Sequence, residues 1–175
     1  MFNPFKKKKS EAEKFMDESS LRIQAFLNRP VYEKLTKEII ESASDENLLQ
    51  LIFDNVAEMI KDKNALDTLK KLSIGQQAHY SVWIVEGEVN NGGFYQFYQN
   101  LNGEFGPMAI EGFKTFRGYK HAELMETAHK LADSFESGID GLPDLDKIFY
   151  SLEKEENLER LRISYIRQHM DQFIS

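Results

Sequence analysis

The residues of this sequence whose types and spacing are most distinctive for chemistry lie between positions 86 and 100, where carboxylate, amide and aromatic side chains surround two adjacent glycines. Glu88 precedes Asn90-Asn91-Gly92-Gly93, and Gln96 follows. Adjacent glycines allow backbone conformations that a Cβ resists, so this stretch predicts a turn whose free N–H groups need acceptors. Glu88 or an asparagine side chain could accept these hydrogen bonds, and Gln96 could bond back across the turn.

Two interpretations of this stretch stay open. In the first, it is a buried polar clasp that fixes two helices. In the second, it forms a pocket for a small ligand or a peptide, lined by Trp83, Tyr95 and Phe97. A phosphate site is disfavoured, because the motif contains no lysine or arginine and no Gly-Lys-Ser/Thr follows. The candidate motif or pocket residues are Trp83, Glu88, Asn90, Asn91, Gly92, Gly93, Phe94, Gln96, Phe97 and Asn100.

The other reactive residue types do not assemble into a catalytic or metal-binding pattern. His121 and His129 are two helical turns apart, about 12 Å along a helix, which is too far to share a metal ion. No serine stands in a Gly-x-Ser-x-Gly motif, and the sequence has no cysteine. Glu86 and Glu88, two residues apart, would point to different sides of a helix. We therefore predict that the protein is not an enzyme and uses neither a metal nor a cofactor.

Acidic residues are concentrated towards the C-terminal end. Between residues 123 and 159 there are eleven acidic residues against three lysines, a net charge of −8. This composition is typical both of solvated helix faces and of a docking face for a basic protein. The candidate binding face comprises Asp133, Glu136, Asp140, Asp144, Asp146, Glu153, Glu155 and Glu156.

The net charge also narrows the class of partner. The 175 residues carry a charge of −7, and without the four lysines Lys6 to Lys9 the remainder carries −11. This charge repels a phosphate backbone, so direct nucleic-acid binding is disfavoured and a basic protein is the better electrostatic match. The lack of cysteine, of an apolar signal core and of about 20 consecutive apolar residues predicts a cytoplasmic protein without a membrane span.

The predicted domain organisation is a short leader followed by one domain. Residues 1–9 are predicted to be a mobile basic leader, because like charges repel one another and chain ends are often loose. Lys6 to Lys9 could also make a weak peripheral contact with an anionic membrane. Residues 10–175 are predicted to form a single helical domain.

Apolar spacing predicts an all-α fold, a compact bundle of about seven to nine helices. A first helix is predicted from Ser10 to Asn28, and a second from Pro30 to about Ala43. A largely buried helix is predicted from Gln76 to Val89, followed by a turn at Asn90 to Gly93 and an aromatic run that fits either a helix or a strand. The predicted core comprises Leu48, Ile52, Val56, Val82, Trp83, Phe94, Phe97, Leu124, Leu131 and Ile166.

The stretch from Glu86 to Phe97 resembles the core motif of the DNA-mimic-protein-like family, bacterial helical domains that are largely of unknown function. In that family a Glu-Val-Asn-Asn-Gly-Gly-Phe sequence precedes a glutamine and aromatic residues, as it does here. The upstream Trp83 is also similar to the family, and so are the closing residues Phe149-Tyr150, Tyr165-Ile166 and His169. The resemblance covers about residues 45–173.

The resemblance implies a compact helical bundle. For the protein after which the family is named, it implies an acidic surface that occupies the DNA-binding face of a transcription regulator. For this chain, it implies a non-catalytic protein-binding domain that acts as a DNA-mimic-like or immunity-type regulator of a basic partner. The alternative is a small-ligand-binding or catalytic domain that uses Trp83 to Asn100. The sequence leaves the oligomeric state undefined.

Overall fold

The computed structural model describes residues 10–61, 64–133 and 142–174, and within these ranges every regular element is helical. The all-α prediction of seven to nine helices is therefore confirmed. Among the described helices, none combines the length and apolar character that crossing a membrane requires. The leader at 1–9 lies outside the described residues. The elements are α1 (Glu11–Leu27), α2 (Lys37–Ser42), α3 (Asp45–Met59), α4 (Ala65–Leu69), α5 (Ile74–Leu101), α6 (Gly106–Thr115), α7 (Tyr119–Asp133), α8 (Leu142–Leu152), α9 (Leu158–Gln168) and a 3₁₀-helix (Met170–Gln172).

The described residues divide into two compact units, with the boundary between Val31 and Tyr32. The first unit contains α1, whose bounds agree within a residue with the predicted helix from Ser10 to Asn28. The second unit contains α2 to α9 and the 3₁₀-helix, and it holds the candidate site residues that the structure describes. The single domain predicted for 10–175 stays a prediction.

Helix α5 organises the second unit because it contributes to two clusters of buried apolar side chains. It begins with a capping box, in which the Gln76 N–H donates to Ser73 Oγ and the Ser73 N–H donates to Gln76 Oε1, both at 3.1 Å. One cluster joins α5 to α6, α7 and α8. In the other cluster, side chains of α2, α3 and α9 pack against Tyr80 and Trp83.

Most of the predicted core is buried. Trp83 and Leu131 are only half-buried. The spacing of apolar residues therefore located the inward faces of α3, α5, α7 and α9. The eight buried members are Leu48, Ile52, Val56, Val82, Phe94, Phe97, Leu124 and Ile166.

The helix predicted from Pro30 to about Ala43 forms only in its second half, since residues 29–36 are not helical and α2 begins at Lys37. Thr36 starts α2, because its Oγ accepts a hydrogen bond from the Ile39 N–H at 3.4 Å. Leu35 is buried and Ile39 is half-buried, so their spacing reflects two separate contacts with the core.

A buried asparagine of α3 stabilises the segment that was expected to be helical. Asn55 Nδ2 donates to the carbonyl oxygens of Tyr32, at 2.8 Å, and Glu33, at 3.2 Å. These bonds satisfy backbone acceptors that would otherwise need helical partners. A tertiary contact therefore outweighs the local helical spacing.

Candidate functional site

The two glycines of the motif form a kink that divides α5 into two helical halves. Gly93 has φ 76° and ψ −178°, a backbone conformation that is essentially restricted to glycine. Its neighbour Gly92 is also non-helical, with φ −162° and ψ 23°. The predicted turn is thus a two-residue break, and the aromatic run that follows it is helical.

Helix α8 supplies hydrogen-bond partners for both sides of this break. A break in a helix leaves N–H groups free at the start of its second half and carbonyl groups free at the end of its first half. The Phe94 N–H donates to Asp146 Oδ1 at 2.8 Å, and the Tyr150 hydroxyl donates to the Val89 carbonyl oxygen at 2.7 Å. Asp146 and Tyr150 are one helical turn apart, so a single face of α8 provides hydrogen-bond partners for the backbone groups on both sides of the kink.

A second set of hydrogen bonds joins the two halves of α5 directly. Glu88 Oε2 accepts from Gln96 Nε2 at 2.8 Å and from Asn100 Nδ2 at 2.9 Å. Glu88 precedes the glycines and both amides follow them, so these bonds span the break. The Glu88 carboxylate is thereby occupied by two neutral donors. These contacts are those of a polar clasp, and a binding role for the motif stays a prediction.

The aromatic residues proposed to line one pocket lie in different surroundings. Trp83 is half-buried and stacks on Phe53, with ring centroids 4.8 Å apart. Phe97 is fully buried in the other apolar cluster, and Tyr95 is exposed. Of the candidate motif residues, Trp83 and Asn90 line the open cleft described below.

Removal of the Asp146 carboxylate tests the clasp. We expect Asp146→Ala to lower the free energy of unfolding by about 2 kcal/mol, because the N–H of the buried Phe94 loses a charged acceptor. Chemical denaturation measures this change. Asp144→Ala is the matched control, since Asp144 lies on the same helix and is exposed beside Lys147, and it should change stability far less. Equal effects of the two substitutions would contradict the role given to Asp146.

The carboxylates predicted as a docking face differ in their surroundings. Glu136 and Asp140 lie outside the described residues, and Asp133 is the last residue of α7. Asp146 bonds to the kink. Glu156 accepts hydrogen bonds at 3.0 Å from a backbone N–H of α7 and from a histidine ring of α7. Asp146 and Glu156 therefore serve as internal acceptors.

The other described members of this set are exposed. Asp144 pairs with Lys147 at 2.8 Å, and Glu155 pairs with Lys120. Glu153 accepts a hydrogen bond from a neutral asparagine amide on the following turn. Among the described residues, no lysine or arginine forms an ion pair with Glu153.

An open cleft of about 510 Å³ lies between α3, α5 and α9, next to the end of α8. Within it, Arg162 Nη2 lies 2.6 Å from Glu86 Oε2, and the two side chains are 5% and 19% exposed. The Arg162 guanidinium also lies 5.6 Å from the Trp83 ring centroid. The cleft is lined by Glu46, Leu49, Gln50, Trp83, Glu86, Gly87, Asn90, Glu153, Glu159 and Arg162.

Negative charge exceeds positive charge in this cleft. Burial raises the pKa of Glu86, Arg162 opposes the increase, and the charges of Glu153 and Glu159 add to it. The net direction is upward, so the guanidinium does not fully offset the effect of burial on Glu86. Arg162 itself is incompletely bonded, because its Nε and Nη1 atoms have no hydrogen-bond partner within the described part of the chain.

The Glu86–Arg162 pair was not predicted from the sequence. Arg162 lies between Leu158 and Ile166 at helical spacing, and both of these neighbours are buried. An arginine in the middle of a buried stripe is unusual unless it is paired, and this signal could have located the site. The partner could not be found from sequence spacing, because Glu86 lies on a helix that is far from Arg162 along the sequence.

His79 has a structural environment. His79 is fully buried, and its Nε2–H donates to the Leu49 carbonyl oxygen at 2.9 Å. Burial, together with the nearby Arg162, lowers the pKa of His79 to about 3, so the ring is neutral at pH 7. Within 10–61, 64–133 and 142–174, no three histidine, aspartate or glutamate side chains are arranged to hold a metal ion.

The fold and the site define an all-α protein with a kinked central helix and an acidic cleft beside the kink. The family model described as DMP19-like protein matches residues 70–169, more than half of the chain, and this range contains α5 to α9. The chain belongs to the DMP19-like protein family, and the resemblance found from its motif is confirmed at this level. Comparisons with curated proteins and with solved structures gave no match.

Proposed function

We propose that this protein binds a basic protein partner and catalyses no reaction. Membership of the DMP19-like family carries this proposal, because the family suggests a DNA-mimic-like protein. A DNA mimic presents carboxylates where DNA would present phosphates, so its partner has a basic surface. The net charge of −8 between residues 123 and 159 supports the same class of partner.

The proposed docking face consists of exposed carboxylates at the end of α8 and the start of α9. Glu153, Glu155 and Glu159 lie there, and only Glu155 has an ion-pair partner among the described residues, Lys120. Exposed charges of this kind increase association rates by long-range attraction, which salt screens over about 8 Å at physiological ionic strength. Asp146 is excluded from the face, since it stabilises the kink.

Charge removal at this face tests the proposal. The variant Glu153→Gln/Glu155→Gln/Glu159→Gln is immobilised beside the parent, and basic proteins retained from a lysate of the source organism are identified by mass spectrometry. We expect a basic protein that the parent retains and the variant loses. With that protein purified, its association rate with the variant should be about tenfold lower than with the parent, and salt should reduce the difference.

The matched control is Glu33→Gln/Glu41→Gln/Glu104→Gln, which removes the same charge from exposed positions outside the face. It also contains one lysine-paired acid, because Glu41 lies 3.6 Å from Lys37. The control should retain the partner with the association rate of the parent. Equal losses of partner binding in both triple variants, or no loss of partner binding in either at low ionic strength, would show that the proposed face is wrong.

A further inference from the structure

The open cleft between α3, α5 and α9, which Trp83 and Arg162 line, has two requirements that its own residues do not meet. The first is an excess of negative charge. Glu86 and Arg162 form a pair, which leaves the carboxylates of Glu46, Glu153 and Glu159 on the walls of the cleft. The charges of Glu153 and Glu159 also oppose ionisation of the buried Glu86. A cation that enters the cleft would relieve this repulsion.

The second requirement is for hydrogen-bond acceptors. Arg162 is 4% exposed, and only its Nη2 atom is bonded, to Glu86. Its Nε and Nη1 atoms are buried and have no acceptor within the described part of the chain. Buried donors without acceptors cost free energy, so a ligand that brings an oxygen atom to this guanidinium gains affinity. Arg162 lines the cleft, but these two atoms are buried, so the side chain has to move before a ligand in the cleft can reach them.

We propose that this cleft binds an arginine side chain of the partner protein together with an adjacent peptide carbonyl oxygen. The proposal rests on the proposed function, because it assigns the basic partner a contact in the cleft. The arginine would donate to Glu153 and Glu159, and the carbonyl oxygen would accept from Arg162. A guanidinium has five N–H donors in a planar arrangement, which suits a site with several carboxylate and amide oxygens.

The two requirements together select a peptide over simpler ligands. An aliphatic polyamine satisfies the carboxylates but has no acceptor for Arg162. A free carboxylate satisfies Arg162 but is repelled by the three surplus glutamates. The methylene groups of an arginine side chain can also pack on the apolar surface of Trp83 and Leu49, both of which line the cleft.

Trp83 allows a direct test because it is the only tryptophan of the chain. The probe is the peptide acetyl-Gly-Arg-Gly-amide, titrated into ¹⁵N-labelled protein at low ionic strength while the Trp83 indole N–H resonance is followed by NMR. We expect a saturable shift of this resonance. The same peptide with citrulline in place of arginine keeps the shape and the carbonyl groups but lacks the charge, and it should bind at least about tenfold more weakly.

The variant Glu153→Gln/Glu159→Gln should reduce the affinity for the arginine peptide about tenfold, equivalent to about 1.4 kcal/mol. The variant Glu33→Gln/Glu104→Gln removes the same charge outside the cleft and should bind as the parent does. Both pairs are exposed, so neither variant is expected to unfold.

Three results would overturn the inference: absence of a saturable Trp83 shift, equal affinity for the citrulline peptide, or tighter binding of spermidine than of the arginine peptide. The proposed function is judged separately by retention of a basic protein on the immobilised parent. If that retention depends on the acidic face while the peptide does not bind the cleft, only the arginine contact is wrong. If the peptide binds but no basic protein is retained, the proposed function fails and so does the assignment of the cleft to a partner.

Discussion

Gly93→Val is expected to lower the free energy of unfolding by about 4 kcal/mol. Gly93 has φ 76° and ψ −178°, where a β-branched side chain is strained. A Cβ at this position would also lie 2.7 Å from Asp146 Cγ. The carboxylate would therefore have to move away and lose its hydrogen bond from the Phe94 N–H. Strain and the lost hydrogen bond act together. Urea denaturation followed by circular dichroism measures the loss.

Gly87→Ala is the matched control on the same helix. Gly87 is exposed in the regular part of α5, and a Cβ there would meet no atom within 4 Å. Alanine favours the helix over glycine, so this variant should be more stable than the parent by about 0.5–1 kcal/mol. Opposite signs for the two substitutions are the expected pattern. A Gly93→Val variant as stable as the parent would show that the kink does not require glycine.

The kink also shows how far the sequence alone could define the site. The adjacent glycines correctly predicted an irregular backbone at Gly92 and Gly93, although Asn90 and Asn91 are still helical. The sequence did not show which groups stabilise the break, because these partners come from α8. Asp146 and Tyr150 lie 52 and 61 residues from the groups they bond, and local spacing contains no information about such pairs.

The same limit explains why the start of α2 was wrongly placed at Pro30. Its apolar residues have helical spacing, and proline is common in the first turn of a helix. The amide of Asn55 nevertheless bonds two carbonyl groups of this segment, from 22 and 23 residues away. The helix predicted from Ser10 to Asn28 was placed correctly from local signals, since α1 spans Glu11–Leu27.

Charge counting found the acidic half of the protein but not the use of each carboxylate. Asp146 and Glu156 were grouped with exposed acids, although both accept hydrogen bonds from neighbouring elements. Glu159, outside the predicted face, lines the cleft. Pairing and burial decide whether a carboxylate stabilises the fold or is free to attract a partner, and both depend on tertiary contacts.

The Glu86–Arg162 pair should produce the second large effect. Arg162→Met is expected to lower the free energy of unfolding by about 4 kcal/mol, because it leaves Glu86 mostly buried without its cation. Methionine retains much of the apolar volume, so the loss reflects charge more than packing. The double variant Glu86→Gln/Arg162→Met removes both charges and should recover most of the stability. Chemical denaturation of both variants and the parent measures these differences.

The pH dependence of Arg162→Met provides the sharper test of the mechanism. Burial already raises the pKa of Glu86 in the folded parent, and loss of Arg162 removes the charge that opposes this increase. A carboxyl group with a raised folded-state pKa binds its proton more tightly in the folded state, so its contribution to stability falls as pH rises through the interval from the unfolded to the folded pKa. Arg162→Met should therefore be closer in stability to the parent at about pH 5 than at about pH 8. In the Glu86→Gln/Arg162→Met background this convergence should be absent, because no carboxyl group remains at position 86 to titrate. If Arg162→Met is less stable than the parent by the same free energy at both pH values, lost packing causes the instability, and the uncompensated charge of Glu86 does not.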